Sequence, residues 1–145
     1  DAFSTDGARF AAVRALATLR AAEPAVRYGR LYFREVSGNG TDFGLPSGAG
    51  GLVAFSRILA ESEVLVVANT GSTTFTGSVV VDRDIHATPR PVSLAYANTG
   101  PRALTVGSRT LPSARFWKGG QVSSGPAAVV DVVVAPGEAL VLASA

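Results

Sequence analysis

The chain has 145 residues, of which 47% are hydrophobic and 17% are charged, and its net charge is +2. The apolar content excludes a disordered chain, the lack of cysteine excludes disulfides and thiolate metal sites, and no apolar run is long enough to span a membrane. The cations are scattered along the chain, which argues against nucleic-acid binding. Because the sequence contains no methionine, we expect it to be a segment of a longer protein.

The first predicted element is a helix over Arg9–Glu23. This stretch is rich in Ala, Leu and Arg, and Phe10, Val13 and Ala17 fall on one stripe of a helical period. Pro24 ends the helix, because the residue before a proline avoids the α conformation. A single helix cannot bury its apolar stripe alone. We therefore expect it to fold back on its own β-domain or to dock on a second copy of the chain.

After Pro24 the pattern changes to short segments rich in β-branched and aromatic residues, separated by turn residues. The predicted strands are Leu31–Val36, Leu52–Ile58, Val64–Asn69, Phe75–Val81, Val92–Ala97, Ala127–Val134 and Ala139–Ala143, with weaker candidates at Ala103–Val106 and Ser113–Trp117. The Gly-rich stretch Ser37–Gly51 is interpreted as a long loop. The predicted fold is mainly β, an antiparallel β-sandwich of about eight strands with one N-terminal α-helix.

Several segments, in order, resemble the end of the barrel and the C-terminal β-domain of α-amylase family glycoside hydrolases. The resemblance is carried by Leu19-Arg20 ahead of Pro24-Ala25 and Gly29, then by Leu52–Arg57 (LVAFSR), Val64–Asn69 (VLVVAN) and Ala135–Leu142 (APGEALVL). Residues 101–124 lie outside it. The resemblance implies that residues 1–24 are the last helix of a catalytic (β/α)8 barrel. It also implies that residues 25–145 are the C-terminal β-sandwich domain.

In that family the catalytic carboxylates lie on the barrel, where the active sites of such barrels are found. The resemblance therefore implies a non-catalytic accessory domain that stabilises or caps the barrel of a hydrolase or transglycosylase acting on α-glucans. Its expected partner is that catalytic barrel, with self-association through the N-terminal helix as a further hypothesis. Alternative functions are a carbohydrate-binding module and a free-standing interaction β-sandwich.

The residues themselves predict no catalytic, cofactor-binding or metal-binding site, and no cofactor. The acids Glu61, Glu63, Asp82, Asp84 and Asp131 are interpreted as solvent-facing or loop positions, not as the carboxylate pair that glycoside hydrolysis requires. His86 is the only histidine, and no nucleophile motif accompanies it. No glycosidase activity is expected from this chain.

The segment Asp82–His86 and the glycines that follow Ser37 are candidate sites for a metal ion and for a nucleotide, respectively. In an extended segment Asp82, Asp84 and His86 would share one side and could ligate a metal, but Arg83 and Arg90 would oppose a cation, so a polar strand edge is favoured. Gly38, Gly40 and Gly44 lack the spacing of a nucleotide loop and are interpreted as loop residues.

Trp117, between Phe116 and Lys118, is the best candidate for a ligand contact, because sugars dock on flat aromatic faces. A lone tryptophan in a small domain is more often a core or interface residue. We therefore expect starch or cyclodextrin to bind weakly or not at all.

Overall fold

The structure, a computed structural model, describes residues 4–46 and 51–144. Within these ranges two helices, α1 (Ala8–Ala22) and α2 (Pro24–Tyr28), are followed by ten strands. The strands are β1 (Arg30–Phe33), β2 (Val36–Ser37), β3 (Asp42–Gly44), β4 (Leu52–Leu59), β5 (Ser62–Asn69), β6 (Phe75–Val81), β7 (Pro91–Ala97), β8 (Thr105–Lys118), β9 (Gln121–Val134) and β10 (Ala139–Ser144). The predicted N-terminal helix and the mainly β class are confirmed.

Several predicted elements differ from the observed ones. The segment Leu31–Val36 is divided between β1 and β2. Of the two weaker candidates, Ser113–Trp117 lies within the single strand β8 and Ala103–Val106 overlaps its start, and the register of β8 shifts between Leu111 and Ala114. The predicted loop Ser37–Gly51 contains β3, with Gly44 as its last residue, while residues 47–50 of that loop lie outside the described residues.

The strands are hydrogen-bonded into one array. The antiparallel layer has the order β1-β4-β5-β10-β7-β8, and β8, β3, β2, β6 and β9 close into a ring because β9 pairs with both β6 and β8. Within the ring, β3 runs parallel to β8. The arrangement therefore differs from the predicted sandwich by one parallel pair and by this closure.

The main core lies between the antiparallel layer and the strands β6 and β9. Its buried residues include Leu52, Ala54, Leu65, Val67, Leu140 and Leu142 from the layer and Val79, Val81, Val130, Val132 and Val134 from β6 and β9. A smaller core among the ring strands contains Phe43, Ala114, Ala127 and Val129, and the Phe43 ring centroid lies 5.8 Å from that of Phe116. The two cores use opposite faces of β9, because alternate residues of a strand point to opposite sides.

The helices pack on the outer face of the antiparallel layer. Ala25 of α2 is fully buried against Val64 and Val141, and Leu19 of α1 packs beside them. No residue of α1 is buried among those described. The contact of Leu19 shows that the helix folds back on its own β-domain, which is one of the two predicted arrangements. Because none of its described residues is buried, the helix covers the sheet only partly. No helix in the described ranges has the length and apolar character needed to cross a membrane.

Gly29 sets the path from α2 into β1. A Cβ at this position would lie 2.4 Å from the carbonyl oxygen of Ala25 and 2.8 Å from that of Ile58. Both distances are far shorter than a van der Waals contact, so a side chain would force the helix and β4 apart. The absence of a side chain at Gly29 therefore lets α2 lie close against the sheet.

Candidate interaction surfaces

Large hydrophobic side chains that remain exposed fall into two groups. Of the thirteen among the described residues, nine lie on α1, α2, β1 and β4. Tyr32, opposite Ser56, faces the other side of the sheet from the helices. We call the other eight the helix-side surface: Phe10, Val13, Leu16, Tyr28, Leu31, Phe33, Val53 and Leu59. Three others, Leu45, Trp117 and Val122, lie together near the turn between β8 and β9, and Val133 is separate on β9.

An apolar row crosses the outer face of the antiparallel layer. Strand register places Phe33, Phe55, Val66, Val141 and Tyr96 side by side on β1, β4, β5, β10 and β7. The helices pack over the part of the row formed by Val66, Val141 and Tyr96, and Val141 is only 6% exposed. At the other end Phe33 is 64% exposed. The helix-side surface therefore continues a hydrophobic sheet face that the helices leave partly open.

Strand β1 is an edge strand that pairs with β4 and with no other described strand. The Arg34 N–H donates to the Ala54 carbonyl at 2.9 Å. Because backbone polar groups alternate in an antiparallel pair, those of Leu31 and Phe33 point away from β4. All four residues of β1 are exposed. The edge thus offers both unpaired backbone groups and apolar side chains, a combination that favours contact with another protein surface.

The second surface is centred on Trp117, whose side chain is 53% exposed. Parallel pairing puts Gly44 of β3 beside Trp117 on one side, and antiparallel pairing puts Val122 of β9 on the other. Phe116, one residue earlier, packs into the smaller core, so Trp117 faces outward from the ring. We call Trp117, Val122 and Leu45, with the polar residues described next, the Trp117 surface.

An ion pair lies in the next row of the Trp117 surface. Arg115 Nε is 2.6 Å from Asp42 Oδ1, and Arg115 Nη2 donates to Asp42 Oδ2 at 2.9 Å. The Asn39 amide donates to the same Oδ2 at 2.8 Å. Hydrogen bonds from Asn39 and Arg115, the charge of Arg115 and a smaller contribution from Trp117 hold the pKa of Asp42 below its usual value, against a weaker effect of desolvation. The pair is therefore fixed and ionised beside the indole.

A buried polar cluster surrounds Glu63, which is 2% exposed. The interpretation of Glu63 as a solvent-facing residue is therefore wrong. Its Oε1 accepts hydrogen bonds from Arg34 Nη2 at 2.7 Å and from Ser56 Oγ at 2.5 Å. Its Oε2 accepts the backbone N–H of Asp82 at 2.9 Å and lies 3.3 Å from His86 Nε2. Both carboxylate oxygens are thus fully engaged.

Burial alone raises the pKa of Glu63, because desolvation disfavours its charged form. The hydrogen bond from His86, the charge of Arg34 and the hydrogen bonds from Ser56 and the Asp82 backbone outweigh that effect. The net result is a pKa below the usual value, so the cluster holds an ionised carboxylate inside the protein.

The segment from Asp82 to His86 is a turn, which makes the interpretation as a polar strand edge wrong. The His86 N–H donates to the Asp82 carbonyl at 3.0 Å, and Asp82 Oδ1 accepts the N–H groups of Asp84 and Ile85. His86 is buried, whereas Asp84 is exposed, so the three residues do not share a side. Within the described ranges, no group of three or more His, Asp or Glu side chains is placed to hold a metal ion.

Asp131 and Glu138 are each paired with an arginine, which limits what their carboxylates can do in catalysis. Asp131 is exposed, as expected, and pairs with Arg109 at 2.7 Å, while Glu138 is buried and pairs with Arg102 at 2.5 Å. The pKa of Asp131 is lowered chiefly by its hydrogen bond to Arg109. Desolvation raises the pKa of Glu138, but the hydrogen bonds from Arg102, Ala135 and Thr99 leave it lowered. A general acid for glycoside hydrolysis needs a raised pKa, so arginine-paired carboxylates of this kind are unsuited to that role.

A sequence signal for the burial of Glu63 exists in strand β5. With a period of two, Glu63 falls on the same face as Leu65 and Val67, which belong to the main core. The signal for Trp117 is weaker, because alternation leaves open which face of β8 points to solvent. Comparison with known proteins finds no matching family model, curated protein or solved structure.

Proposed function

We propose that this chain is a non-catalytic accessory domain that packs on the catalytic barrel of an α-amylase-type glycoside hydrolase or transglycosylase and stabilises or caps it. The observation that carries this proposal is the helix-side surface, where eight large hydrophobic side chains remain exposed on neighbouring elements. Soluble proteins rarely leave a large apolar patch in water unless a partner covers it.

The energetic reason is the hydrophobic effect. Burying one exposed Phe or Leu side chain contributes about 1.5–3 kcal/mol. Phe33, Leu31 and Val53 lie on the outer face of the antiparallel layer, beside the helices, and so can be covered together by one partner. The free edge of β1 adds the unpaired backbone groups of Leu31 and Phe33. A partner that covers this face therefore gains both apolar burial and hydrogen bonds.

The sequence resemblance indicates the kind of partner. The Leu19-Arg20 and Pro24-Ala25 pairs lie in α1 and α2, Gly29 leads into β1, and the strand motifs lie in β4, β5 and β10. The proposal treats the antiparallel layer and the strands β6 and β9 as the two sheets of the C-terminal β-sandwich of the family. It also treats residues 1–24 as the barrel helix that accompanies this domain.

A direct test mixes the chain with (β/α)8 barrels of α-amylase-type enzymes that lack their own C-terminal domain. We expect a one-to-one complex in sedimentation velocity and a higher Tm for the barrel. The variant Phe33→Asp should weaken the complex by roughly 30-fold, because it places a charge where an apolar side chain is buried.

The matched control is Val133→Asp. Val133 lies on β9, away from the helix-side surface, and its exposed fraction of 60% is close to the 64% of Phe33. This variant should bind like the unmodified chain. The proposal is overturned if no barrel binds or gains stability. It is also overturned if the helix-side surface instead joins two copies of the chain, which would appear as a dimer that Phe33→Asp dissociates.

A further inference from the structure

We propose that the Trp117 surface is a binding site for a neutral oligosaccharide, with the indole of Trp117 as the platform on which one sugar ring stacks. The site is separate from the helix-side surface, and the inference does not rest on the proposed function. It is carried by the exposure of Trp117, the open space around it and the polar groups fixed beside it.

The indole is 53% exposed, and on two of its sides the neighbouring positions are glycines. Gly44 lies beside Trp117 on β3, and Gly119 and Gly120 form the turn that follows it. A Cβ built at Gly119 or Gly120 meets no described atom within 4 Å, and one at Gly44 meets only the Trp117 carbonyl oxygen at 3.9 Å. With φ values of 57° and 80°, the turn also favours glycine at both of its positions. Among the described residues, the side chains absent at these glycines leave the aromatic face open to a flat ligand.

The polar groups define the class of ligand. Asp42 and Arg115 form a bidentate pair whose opposite charges cancel, with Asn39 holding the carboxylate. The pair itself has no net charge and offers hydrogen-bond acceptors and donors side by side, and Lys118, which lines the same space, adds a further donor. Ser124, opposite Arg115 on β9, adds a hydroxyl group. A ligand with one apolar face and several hydroxyl groups at its edge matches this set, and that is the chemistry of a neutral pyranose.

The size of the surface favours a small ligand over a protein. Only three large hydrophobic side chains are exposed there among the described residues, compared with eight on the helix-side surface. A stable protein interface buries about 800 Å² on each partner, which is far more than one indole and two aliphatic side chains supply. The Trp117 surface therefore fits one or two sugar rings.

The position of Trp117 is fixed before a ligand binds. The residue lies in β8 between β3 and β9, and the preceding Phe116 is anchored against Phe43 in the smaller core. A rigid platform loses little conformational entropy on binding. A single aromatic contact nevertheless gives weak affinity, and we expect a dissociation constant of about 1 mM.

The test uses the full chain and two neutral probes, maltoheptaose and cellohexaose. Trp117 is the only tryptophan, so its fluorescence reports on this site alone. We expect at least one probe to shift the Trp117 emission to shorter wavelength and to move the amide signals of Gly44, Trp117 and Val122 in nitrogen-15 NMR spectra, both with saturation. The variant Trp117→Ala should abolish the amide shifts, and Trp117→Phe should retain them with an affinity within about fivefold.

The matched control is Phe33→Ala, which removes an exposed aromatic side chain on the helix-side surface and should leave sugar binding unchanged. Circular dichroism of Trp117→Ala verifies that the fold persists. The inference is overturned if neither sugar gives a saturable shift, or if the shifts survive in Trp117→Ala. It is also overturned if a proline-rich peptide binds at this site and both sugars fail. None of these outcomes affects the barrel-binding test, because that test depends on Phe33.

Discussion

At the scale of single residues, Glu63 joins parts of the chain that are far apart in sequence. Its carboxylate binds Arg34 after β1, Ser56 in β4, and both Asp82 and His86 in the turn after β6. The antiparallel layer is thereby tied to the turn that leaves β6. A buried ion pair stabilises the fold only while both partners are present, because a charge that loses its partner remains poorly solvated.

We expect Glu63→Gln to lower the free energy of unfolding by about 3 kcal/mol, because the variant leaves the charge of Arg34 without its counter-ion. Urea denaturation followed by circular dichroism measures this change. Glu61→Gln, two residues earlier and exposed, should change the free energy by less than about 0.5 kcal/mol. Equal effects in the two variants would mean that the buried cluster contributes no particular stability.

The stability of the protein should fall in acid through the same residue. The folded state lowers the pKa of Glu63 from its ordinary value of 4.5, so the unfolded chain takes up a proton more readily. The contribution of Glu63 is complete above pH 4.5 and is lost as the pH falls through the lower pKa of the folded state. Urea midpoints measured from neutral pH downward should decline in this window. The decline should be shallower in Glu63→Gln, and identical slopes would contradict this account.

Gly29 gives a steric prediction. In Gly29→Ala the new methyl group would meet the carbonyl oxygens of Ala25 and Ile58, so we expect a loss of about 2–3 kcal/mol in the free energy of unfolding. Gly38→Ala is the matched control, because a Cβ there meets no described atom within 4 Å. Thermal unfolding of both variants decides the matter, and a Gly29→Ala protein as stable as the control would show that α2 is not tightly seated.

At the scale of elements, α1 and α2 differ in how firmly they join the sheet. Among the described residues, α1 contributes no buried side chain, and Leu19 is its half-buried contact with the cluster around Val64 and Val141. The shorter α2 contributes the fully buried Ala25 to the same cluster. The boundary predicted at Pro24 therefore coincides with a change in packing, although it remains a prediction about independent folding.

Deleting residues 1–23 should leave the β-domain folded and lower the free energy of unfolding by no more than about 2 kcal/mol, because little apolar surface is buried by α1. A longer deletion, of residues 1–29, should destabilise the protein more, since it also exposes Val64 and Val141. Far-ultraviolet circular dichroism during urea titration distinguishes the two deletion variants. Cooperative loss of the strand signal in the shorter deletion would make α1 integral to the domain.

At the scale of the whole molecule, the shifted carboxylates share one kind of partner. The acids whose pKa values are shifted, Asp42, Glu63, Asp131 and Glu138, are each paired with an arginine and each shifted downward. One of these pairs, Asp42 with Arg115, belongs to the Trp117 surface, whereas none of the four acids lies among the residues of the helix-side surface.

We accordingly expect the purified chain to release no reducing sugar from maltoheptaose and no aglycone from an aryl glucoside. A matched reaction with an α-amylase-type enzyme verifies the assay. Turnover by the chain that disappears on replacing Asp42 or Asp131 by Asn would refute the non-catalytic assignment, because it would show that a carboxylate of this chain performs the reaction.

The sequence by itself determined the helix and most of the strands. The helical period and Pro24 located α1 to within one residue at each end, and Phe75–Val81 was predicted with the bounds that β6 has. These signals are local, since propensity, periodicity and turn residues act over a few neighbours. The period of two along β5 also indicates that Glu63 is buried. The prediction placed Glu63 in solvent or a loop because carboxylates are usually exposed, and this preference was given more weight than its position on the strand.

Only the tertiary structure decided how the strands close and which faces stay open. The parallel pairing of β3 with β8 joins Asp42 to a residue 73 positions away, and no local rule specifies such a partner. This pairing directs Phe116 inward and leaves Trp117 outward. The exposure of β1 has the same origin, because an edge strand and a central strand can share one pattern of residues. Secondary structure depends on neighbouring residues, whereas the edge strands, the closure of the ring and the exposed surfaces depend on contacts between residues that are distant in sequence.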